Sequence, residues 1–412
     1  MEKRKNPAVR FKGFEDDWEQ RKLDDLAEFS KGSGYSKGDL IESGTPIILY
    51  GRLYTNYETI ISDVDTFVEA KDGSVYSKGR EVIVPASGET AEDIARAASV
   101  DKSGILLGGD LNIVMPNEDI NSAFLAISIS NGSSQRELAR KAQGKSVVHI
   151  HNEEIRNLVV PFPTKTEQNK IENYFADLDH LITLHQRKLE KMQLVKKSML
   201  EKMFPKNDLK IPEIRFEGFT DDWEQRKFSE LVQIERGGSP RPIDDFITNA
   251  SNGLNWVKIG DAPAQGNYIT KTAEKIRPEG LSKTREVHPG DLILSNSMSF
   301  GKPYIMGIDG CIHDGWLLIR NTHGVFDLTF LCHLLGTPQM LSQYKSLAAG
   351  STVNNLNKEL VGNTVVTIPS IAEQRVLGDY LEQLDNLITL HQRKLAKMKS
   401  IKKSLLEKLF VQ

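Results

Sequence analysis

Cysteine is nearly absent from this 412-residue chain, which contains only Cys311 and Cys332. Two cysteines are too few for a disulfide framework, and the sequence has no Cys-x-x-Cys pair that would hold zinc. No apolar run approaches the roughly 20 residues that a membrane-spanning helix needs, and no hydrophobic segment follows the charged N-terminus as in a signal peptide. We therefore expect a protein of the reducing cytoplasm that has no membrane partner.

An excess of positive charge is also missing. The 53 Lys and Arg residues are balanced by 56 Asp and Glu residues, which leaves a formal net charge of -3. This balance excludes a uniformly basic nucleic-acid coat, although local basic surfaces remain open.

The usual catalytic motifs are missing as well. Residues 139–146 fit a relaxed phosphate-loop pattern, but a helical run precedes them and a strand-like segment follows, the reverse of a true phosphate loop. His149 and His151 could share one face of a strand, yet no cysteine or carboxylate cluster accompanies them. The sequence has no dinucleotide fingerprint, no Asn-Pro-Pro-Tyr element, no nucleophile elbow and no nuclease-like acidic cluster. We predict a non-catalytic chain without a metal or a cofactor of its own.

What the sequence does contain is an internal repeat. Residues 9–22 return at 214–227 with 11 of 14 positions identical, and residues 178–204 return at 384–410 with 20 of 27 identical. Between these stretches, at roughly 25–140 and 230–345, the two halves look unrelated. The chain is thus a tandem duplication with fixed frames and divergent inserts.

Each repeated C-terminal stretch has the pattern of a long helix. No Gly or Pro occurs from Glu167 to Phe204, and Pro205 ends the pattern. Apolar residues alternate in steps of four and three, which is the heptad seam of a coiled coil. A helix of this length would extend about 57 Å. We expect the two helices to pack on each other along the following seam residues: Ile171, Phe175, Leu178, Ile182, His185, Leu189 and Met192 in the first copy, and Leu377, Leu381, Leu384, Ile388, His391, Leu395 and Met398 in the second.

The divergent inserts have a different pattern. They mix short β-branched and aromatic runs with turn residues, and they include helical patterns at 133–142 and 326–336. We interpret each insert as a compact domain of about 150 residues with mixed strands and helices, an α+β fold. A Phe-x-Gly-Phe-x-x-Asp-Trp box precedes each insert, and we expect Phe11, Phe14 and Trp18 to be core anchors there rather than ligands.

Polar, basic loops that contain glycine recur in both inserts. Glycine lets a backbone approach closely, Lys and Arg neutralise phosphates, and Asn, Gln, Ser and Arg can read base edges. Each loop taken alone is by default a solvated loop, and only the architecture around the loops favours contact with a polyanion. The candidate DNA-binding residues are Lys31, Ser33, Tyr35, Lys37, Arg52, Gln143, Lys145, Ser146, Arg236, Ser239, Arg241, Asn296, Lys302, His313, Ser351, Thr352 and Asn354.

Residues 185–204 of the first long helix also carry a basic surface. Two interpretations stay open for it: the solvated flank of a coiled coil, which we favour slightly, and a surface for a partner protein or for phosphate groups.

This arrangement resembles the specificity subunit of a type I restriction-modification system along essentially the whole chain. The resemblance rests on the two variable inserts, the near-identical long helices, the two aromatic boxes, and the Pro-x-x-x-Glu-Gln motif at Pro163–Gln168 and Pro369–Gln374. The runs at 237–242, 256–261 and 289–292 also look like recurrent elements of such recognition domains. The first insert departs from them, because Gly32-Ser-Gly-Tyr stands where the second has Gly238-Ser-Pro-Arg.

The resemblance implies a subunit that is not an enzyme. Such a subunit places two methyltransferase subunits, and two restriction and motor subunits where these are present, on a bipartite, gapped double-stranded DNA target. It would have target-recognition domains at residues 1–164 and 207–370, and helices at 165–206 and 371–412 packed as an antiparallel coiled coil. S-adenosylmethionine, ATP and Mg²⁺ would then bind to the partner subunits. A duplication within one chain also suits two half-sites about one DNA turn apart, roughly 34 Å.

Two alternatives from other classes stay open at this point. The heptad helices would also suit a protein-assembly scaffold that does not read DNA sequence. A self-sufficient modification enzyme would need catalytic motifs that the sequence lacks.

Overall fold

The computed structural model describes residues 6–142, 144, 147–206, 209–296, 301–349 and 356–411. The chain divides into two compact units, of which the first comprises Met1–Leu184 with Leu395–Gln412 and the second comprises His185–Lys394. Each unit contains one mixed α/β domain and a part of both long helices.

The first domain is built from short strands and helices. Its strands are β1 (Glu19–Lys22), β2 (Ala27–Lys31), β3 (Leu40–Ile41), β4 (Thr45–Ile48), β5 (Ile60–Ile61), β6 (Phe67–Val68), β7 (Tyr76–Lys78), β8 (Glu81–Pro85), β9 (Ser87–Gly88), β10 (Ala98–Val100), β11 (Ser103–Leu107), β12 (Leu111–Pro116), β13 (Val148–His149) and β14 (Val159–Phe162). Its helices are α1 (Arg52–Thr55), α2 (Ala91–Ile94), α3 (Ser122–Ile129), α4 (Gly132–Lys141) and α5 (Asn152–Arg156), and the long helix α6 (Lys165–Lys202) follows.

Two five-stranded sheets form the body of this domain. One has the strand order β2-β12-β8-β10-β5, and the other has the order β3-β6-β4-β11-β7. Alternate side chains of a strand point to opposite faces, and in β8 Val82 and Val84 join the core beside the helices whereas Ile83 joins a second core. The continuous apolar run of β8 is therefore explained by burial on both faces.

The second domain has its own set of elements. Its strands are β15 (Glu224–Lys227), β16 (Gln233–Arg236), β17 (Ile247–Thr248), β18 (Leu254–Val257), β19 (Tyr268–Ile269), β20 (Glu274–Ile276), β21 (Arg285–Val287), β22 (Leu292–Ser295), β23 (Pro303–Met306), β24 (Gly310–Ile312), β25 (Trp316–Arg320) and β26 (Val365–Ile368). Its helices are α7 (Leu328–Leu335), α8 (Pro338–Ala349) and α9 (Lys358–Gly362), and the long helix α10 (Ile371–Lys408) follows. The helices predicted at 133–142 and 326–336 are confirmed as α4 and α7.

The second domain repeats the topology of the first. Its two five-stranded sheets have the orders β16-β25-β22-β23-β19 and β17-β20-β18-β24-β21, which match the first domain strand for strand. In both domains a two-stranded sheet joins the strand after the aromatic box to the strand before the long helix, as β1-β14 and as β15-β26. The α+β fold and the tandem duplication are confirmed, and the duplication extends through the inserts that look unrelated in sequence.

A buried ion pair attaches each aromatic box to the start of a long helix. In the first unit Nε and Nη2 of Arg10 each donate to one carboxylate oxygen of Glu167 at 2.8 Å, which makes a bidentate pair. The Glu167 side chain is 1% exposed. In the second unit Arg215 forms the same 2.8 Å bidentate pair with Glu373. Guanidinium and carboxylate match in shape, so the pair sets the direction in which the chain enters the domain.

A phenylalanine from the far end of a long helix completes each core. Phe410 contacts Trp18 and Phe124 in the first unit, at ring-centroid distances of 6.3 and 5.8 Å. Phe204 contacts Trp223 and Phe330 in the second unit, at 6.2 and 5.6 Å. The first core is thus closed by the C-terminal residues of the chain. Trp18 is 3% exposed, as expected for a core anchor, whereas Phe11 and Phe14 are half-buried.

The two long helices run antiparallel within each unit. In the second unit Lys196 pairs with Asp385 and His185 contacts His391, so residue numbers rise along α6 as they fall along α10. In the first unit Lys402 lies 2.5 Å from Asp179. The predicted antiparallel coiled coil is confirmed. Among the described residues no helix is long and apolar enough to cross a membrane.

Candidate nucleic-acid interface

The loop after β16 lies against the turn between β24 and β25. A Cβ atom added to Gly237 would lie 2.1 Å from the carbonyl oxygen of His313, so a side chain cannot be accommodated there. The Gly237 N–H donates to the carbonyl of Trp316 at 2.9 Å. These contacts hold the backbone from which residues 238–241 extend.

Asp314, in that turn, is the residue on which the polar side chains of the loop converge. Its Oδ1 accepts a hydrogen bond from Ser239 Oγ at 3.1 Å and lies 2.9 Å from His313 Nε2. Its Oδ2 lies 3.5 Å from Nη2 of Arg241. Three candidate residues from two segments of the chain therefore meet at the carboxylate of Asp314, which was not itself a candidate.

His313 is fully engaged inside this cluster. Its Nδ1 accepts from the N–H of Gly315 at 2.9 Å, which leaves the proton on Nε2, where it faces Asp314. Burial lowers the pKa of His313, as do the charges of Arg241 and Lys258, while Asp314 opposes them. A neutral imidazole with both nitrogens occupied has no free group for a base or a phosphate, so we remove His313 from the candidate DNA contacts.

Arg241 is the cluster member that remains open to solvent. Its side chain is 76% exposed, and its Nη2 atom lies 3.5 Å from Asp314. It borders a cleft of about 530 Å³ that is lined by Ser239, Arg241, Ile243, Asp244, Ile247, Trp256, Lys258, Glu274 and His313. Asp314 and Lys258 lie within runs that the sequence singles out, but neither they nor Glu274 are among its candidate residues, because a sequence run does not show which of its side chains border a cleft.

Three further candidates of the second domain differ in exposure. Asn296 is 3% exposed and donates to the Asp314 carbonyl at 2.9 Å, so it supports the turn and is removed from the candidates. Arg236 is exposed and contacts the same carbonyl at 3.4 Å. Lys302 is half-buried, with its ammonium 5.0 Å from the centre of the Tyr304 ring.

The first domain has the same backbone frame without this cluster. A Cβ on Gly32 would lie 1.9 Å from the carbonyl oxygen of Gly108, and the Gly32 N–H donates to Leu111 at 3.0 Å. Gly32 is therefore the structural equivalent of Gly237. The sequence match pairs it with Gly238, which is one residue too far along the chain. At the same offset of 205 residues, Gly108 and Gly109 stand where the second domain has His313 and Asp314.

Three candidates of the first domain contact other residues of the fold. Tyr35 is 7% exposed, and its hydroxyl lies 2.6 Å from Ser74 Oγ and 2.7 Å from the Lys71 N–H. The Ser33 hydroxyl accepts from the backbone of Val75 at 3.2 Å. Arg52 is 11% exposed and is paired with two carboxylates. Tyr35 and Arg52 serve the fold, so we remove them as candidate DNA contacts, whereas the half-buried Ser33 stays a candidate.

Lys31 and Lys37 are exposed and stay candidates. Gln143, Lys145, Ser146, Ser351, Thr352 and Asn354 lie outside the described residues. The rings of His149 and His151 stack at 6.5 Å, and no cluster of metal-ligating side chains occurs in the part of the chain that the structure describes.

The predicted seam residues are the less exposed positions of the two long helices. Ile171, Phe175, Leu377, Leu381, Ile388 and His391 are buried, and Leu178, Ile182, His185, Leu189, Met192, Leu384, Leu395 and Met398 are half-buried. The Nδ1 atoms of His185 and His391 lie 3.0 Å apart. Burial lowers the pKa of His391, and the charges of Lys188, His185 and Lys394 lower it further.

The comparisons with known proteins identify the family. Residues 15–194 and 220–400 match the family model of the type I restriction modification DNA specificity domain. The chain belongs to this family. It is therefore a specificity subunit of the type I restriction-modification class, a non-catalytic DNA-recognition subunit, and the resemblance seen in the sequence is confirmed.

Individual relatives agree with this result. The chain is 22% identical to the type I restriction enzyme MjaVIII specificity subunit of Methanocaldococcus jannaschii, over 95% of this chain and 91% of that protein. The crystal structure of a type I S subunit from M. genitalium superimposes with a TM-score of 0.63 at 16% identity, covering 98% of this chain and 99% of that one. A chain from a study of complex assembly and conformational transition in a type I system gives a TM-score of 0.56 at 18% identity, covering 95% and 97%. At these identities the structural likeness shows the fold.

Proposed function

We propose that this specificity subunit recognises a bipartite, gapped DNA target, with one half-site read by each domain. The observation that carries the proposal is the shared frame with different side chains at equivalent positions. Both domains have the same strand orders and the same glycine-dependent loop contact. At one equivalent position, however, the first domain has Gly109 and the second has Asp314. Equal frames with unequal contact residues are suited to two half-sites of different sequence.

We also propose that two methyltransferase subunits bind, one to each unit. The first unit exposes Leu181 and Leu184 on α6, with 43% and 53% of their surface accessible. The second unit exposes Leu387 and Leu390 on α10, each 46% accessible. Because these pairs occupy the same positions in the two copies, a partner that fits one apolar face fits the other. Two restriction and motor subunits would join this assembly, and the partners would supply the sites for S-adenosylmethionine, ATP and Mg²⁺.

Methylation mapping tests the first proposal. The chain is expressed with its methyltransferase in a host without adenine methylation, and methylated adenines are located by sequencing. A split, gapped motif is the expected result, and its absence would contradict bipartite recognition. The purified complex should also bind duplex DNA less tightly as salt rises, because bound phosphates release counterions. Affinity that does not depend on salt would favour the assembly-scaffold alternative.

Paired substitutions test the number of partners. Leu184→Ser and Leu390→Ser should each remove one methyltransferase subunit, and the double variant should remove both, as measured by the mass of the complex in solution. Leu194→Ser is a suitable control, because Leu194 is 68% exposed on α6 and the equivalent residue of the other copy is Ser400. Its apolar side chain is therefore not part of a face shared by the two copies. Loss of both subunits on a single substitution would contradict independent faces. We also propose that the subunit acts in the cytoplasm.

A further inference from the structure

The cleft beside Arg241 is not built as a phosphate site. Its lining contains two carboxylates, Asp244 and Glu274, against two cations, Arg241 and Lys258. Lys258 and Glu274 lie 2.5 Å apart and neutralise each other. A phosphate would gain no net positive charge here.

Asp314 further separates Arg241 from a phosphate-binding arginine. The Asp314 carboxylate lies 3.5 Å from the guanidinium, so a phosphate that approached Arg241 would also approach a fixed negative charge. Asp314 is itself held in place by Ser239 and His313. The carboxylate thus faces one nitrogen of the guanidinium, and most of the Arg241 side chain stays exposed.

We propose that Arg241, oriented by Asp314, recognises a guanine in the half-site read by the second domain. An arginine fork matches the O6 and N7 acceptors that guanine presents in the major groove, and this base edge has no charge to be repelled by Asp314. Arg241 is the contact residue and Asp314 is a positioning residue. This inference rests on the proposed function, because it assigns a base to one of the two half-sites.

The first domain lacks the same device. Ser36 stands at the position of Arg241, and its hydroxyl donates to Asp39 at 2.9 Å in a local turn. Gly109 stands at the position of Asp314. The guanine contact is therefore assigned to the second half-site alone.

Methylation mapping of variant complexes tests the assignment. Arg241→Ala should reduce the preference for guanine at one position of one half-site by about 5- to 150-fold, which is the discrimination of a bidentate arginine contact. Arg241→Lys should relax the same position, because an ammonium cannot make the paired contact. Asp314→Asn should relax it less, since the guanidinium remains but is no longer oriented by charge. Arg226→Ala, which lies in β15 outside the cleft, is the matched control and should leave both half-sites unchanged.

The outcomes separate this inference from the function on which it rests. If the unaltered complex gives a bipartite motif and Arg241→Ala leaves the base preferences unchanged, the inference is wrong and the proposed function stands. An equal loss of methylation at all targets would show a phosphate contact and would also overturn it. If the unaltered complex gives no bipartite motif, both fall together. Thermal melting of each variant chain confirms folding, and Arg241→Lys, which keeps the charge, gives an independent result if Asp314→Asn destabilises the turn.

Discussion

Replacing Phe410 by alanine measures how strongly the end of the chain stabilises the first unit. Phe410 is 2% exposed, and the ring centroids of Trp18, Phe124 and Phe175 lie 6.3, 5.8 and 6.5 Å from its own. Truncating a buried phenylalanine costs about 3–5 kcal/mol, because both its transfer energy and the contacts around the cavity are lost. A unit of about 200 residues loses roughly 2–4 °C of Tm for each kcal/mol. We therefore expect the Tm of the first unit to fall by about 6–20 °C.

Calorimetry combined with hydrogen exchange locates the effect. The Val411 carbonyl accepts from the Ser133 N–H at 2.9 Å, so release of the C-terminal residues should increase exchange in α4. Leu194→Ala is the control, because an exposed side chain contributes within about 0.5 kcal/mol. A variant Phe410→Ala that melts like this control would refute the reasoning, and so would increased exchange confined to the second unit.

Four other predictions follow from the same structure. Arg10→Ala should cost about 3–5 kcal/mol in chemical denaturation, because it leaves the buried Glu167 carboxylate unpaired, and an apolar replacement of both partners should recover stability. Burial lowers the pKa of His333 to about 4 from its ordinary 6.5, so the unfolded chain binds its proton first as pH falls. The stability that depends on neutral His333 should be fully present above pH 6.5 and fall by about 3 kcal/mol towards pH 4, and this part of the decline should be absent from His333→Leu in pH-dependent melting. A short insertion near residues 203–208 should change the gap between half-sites in methylation maps, and altered half-site bases would contradict this. Replacing residues 230–345 with the insert of another specificity subunit should change one half-site only.

The long helices could be predicted from the sequence because their signal is local. A heptad seam without Gly or Pro requires no knowledge of the rest of the chain. Lys196 and Lys402 continue the same spacing of four and three, and each pairs with the aspartate of the other copy, Asp385 and Asp179 respectively. These pairs span more than 180 residues, and the repeat offset is the only sequence signal that relates them.

The exposed side chains of the candidate interface are harder to predict from the sequence, because exposure depends on the whole fold. Tyr35 and Arg52 have the residue types of a DNA contact, but their burial depends on strands that pack from distant parts of the chain. The role of Asp314 cannot be inferred from the sequence, because Ser239 and Arg241 approach it only in the folded domain. The common strand order of the two inserts was hidden because strands of two to six residues require only an apolar alternation, which many sequences satisfy.

The repeated residues of this chain attach each domain to its helix, whereas the divergent residues form the loops. The glycines of the loop frame limit which side chains of one domain could be placed in the other. In the second unit the repeated Arg215 and Glu373 attach the domain to its helix, and the hydrogen bonds described for them involve no residue of the loop cluster. Changes in the two places should therefore act independently on stability. The space around Gly108 and Gly109 shows whether the first domain could carry the histidine and the aspartate of the second domain at these equivalent positions. A Cβ on Gly108 would lie 2.6 Å from the Leu49 side chain and 3.1 Å from the Ile48 carbonyl, whereas a Cβ on Gly109 would meet only ordinary contacts at 3.5 Å. The aspartate of the second domain's cluster therefore fits the first domain without rearrangement, whereas the histidine requires the Leu49 side chain to move and the Ile48 carbonyl to shift by a few tenths of an ångström. The two domains thus carry different contact residues on one frame most readily at position 109.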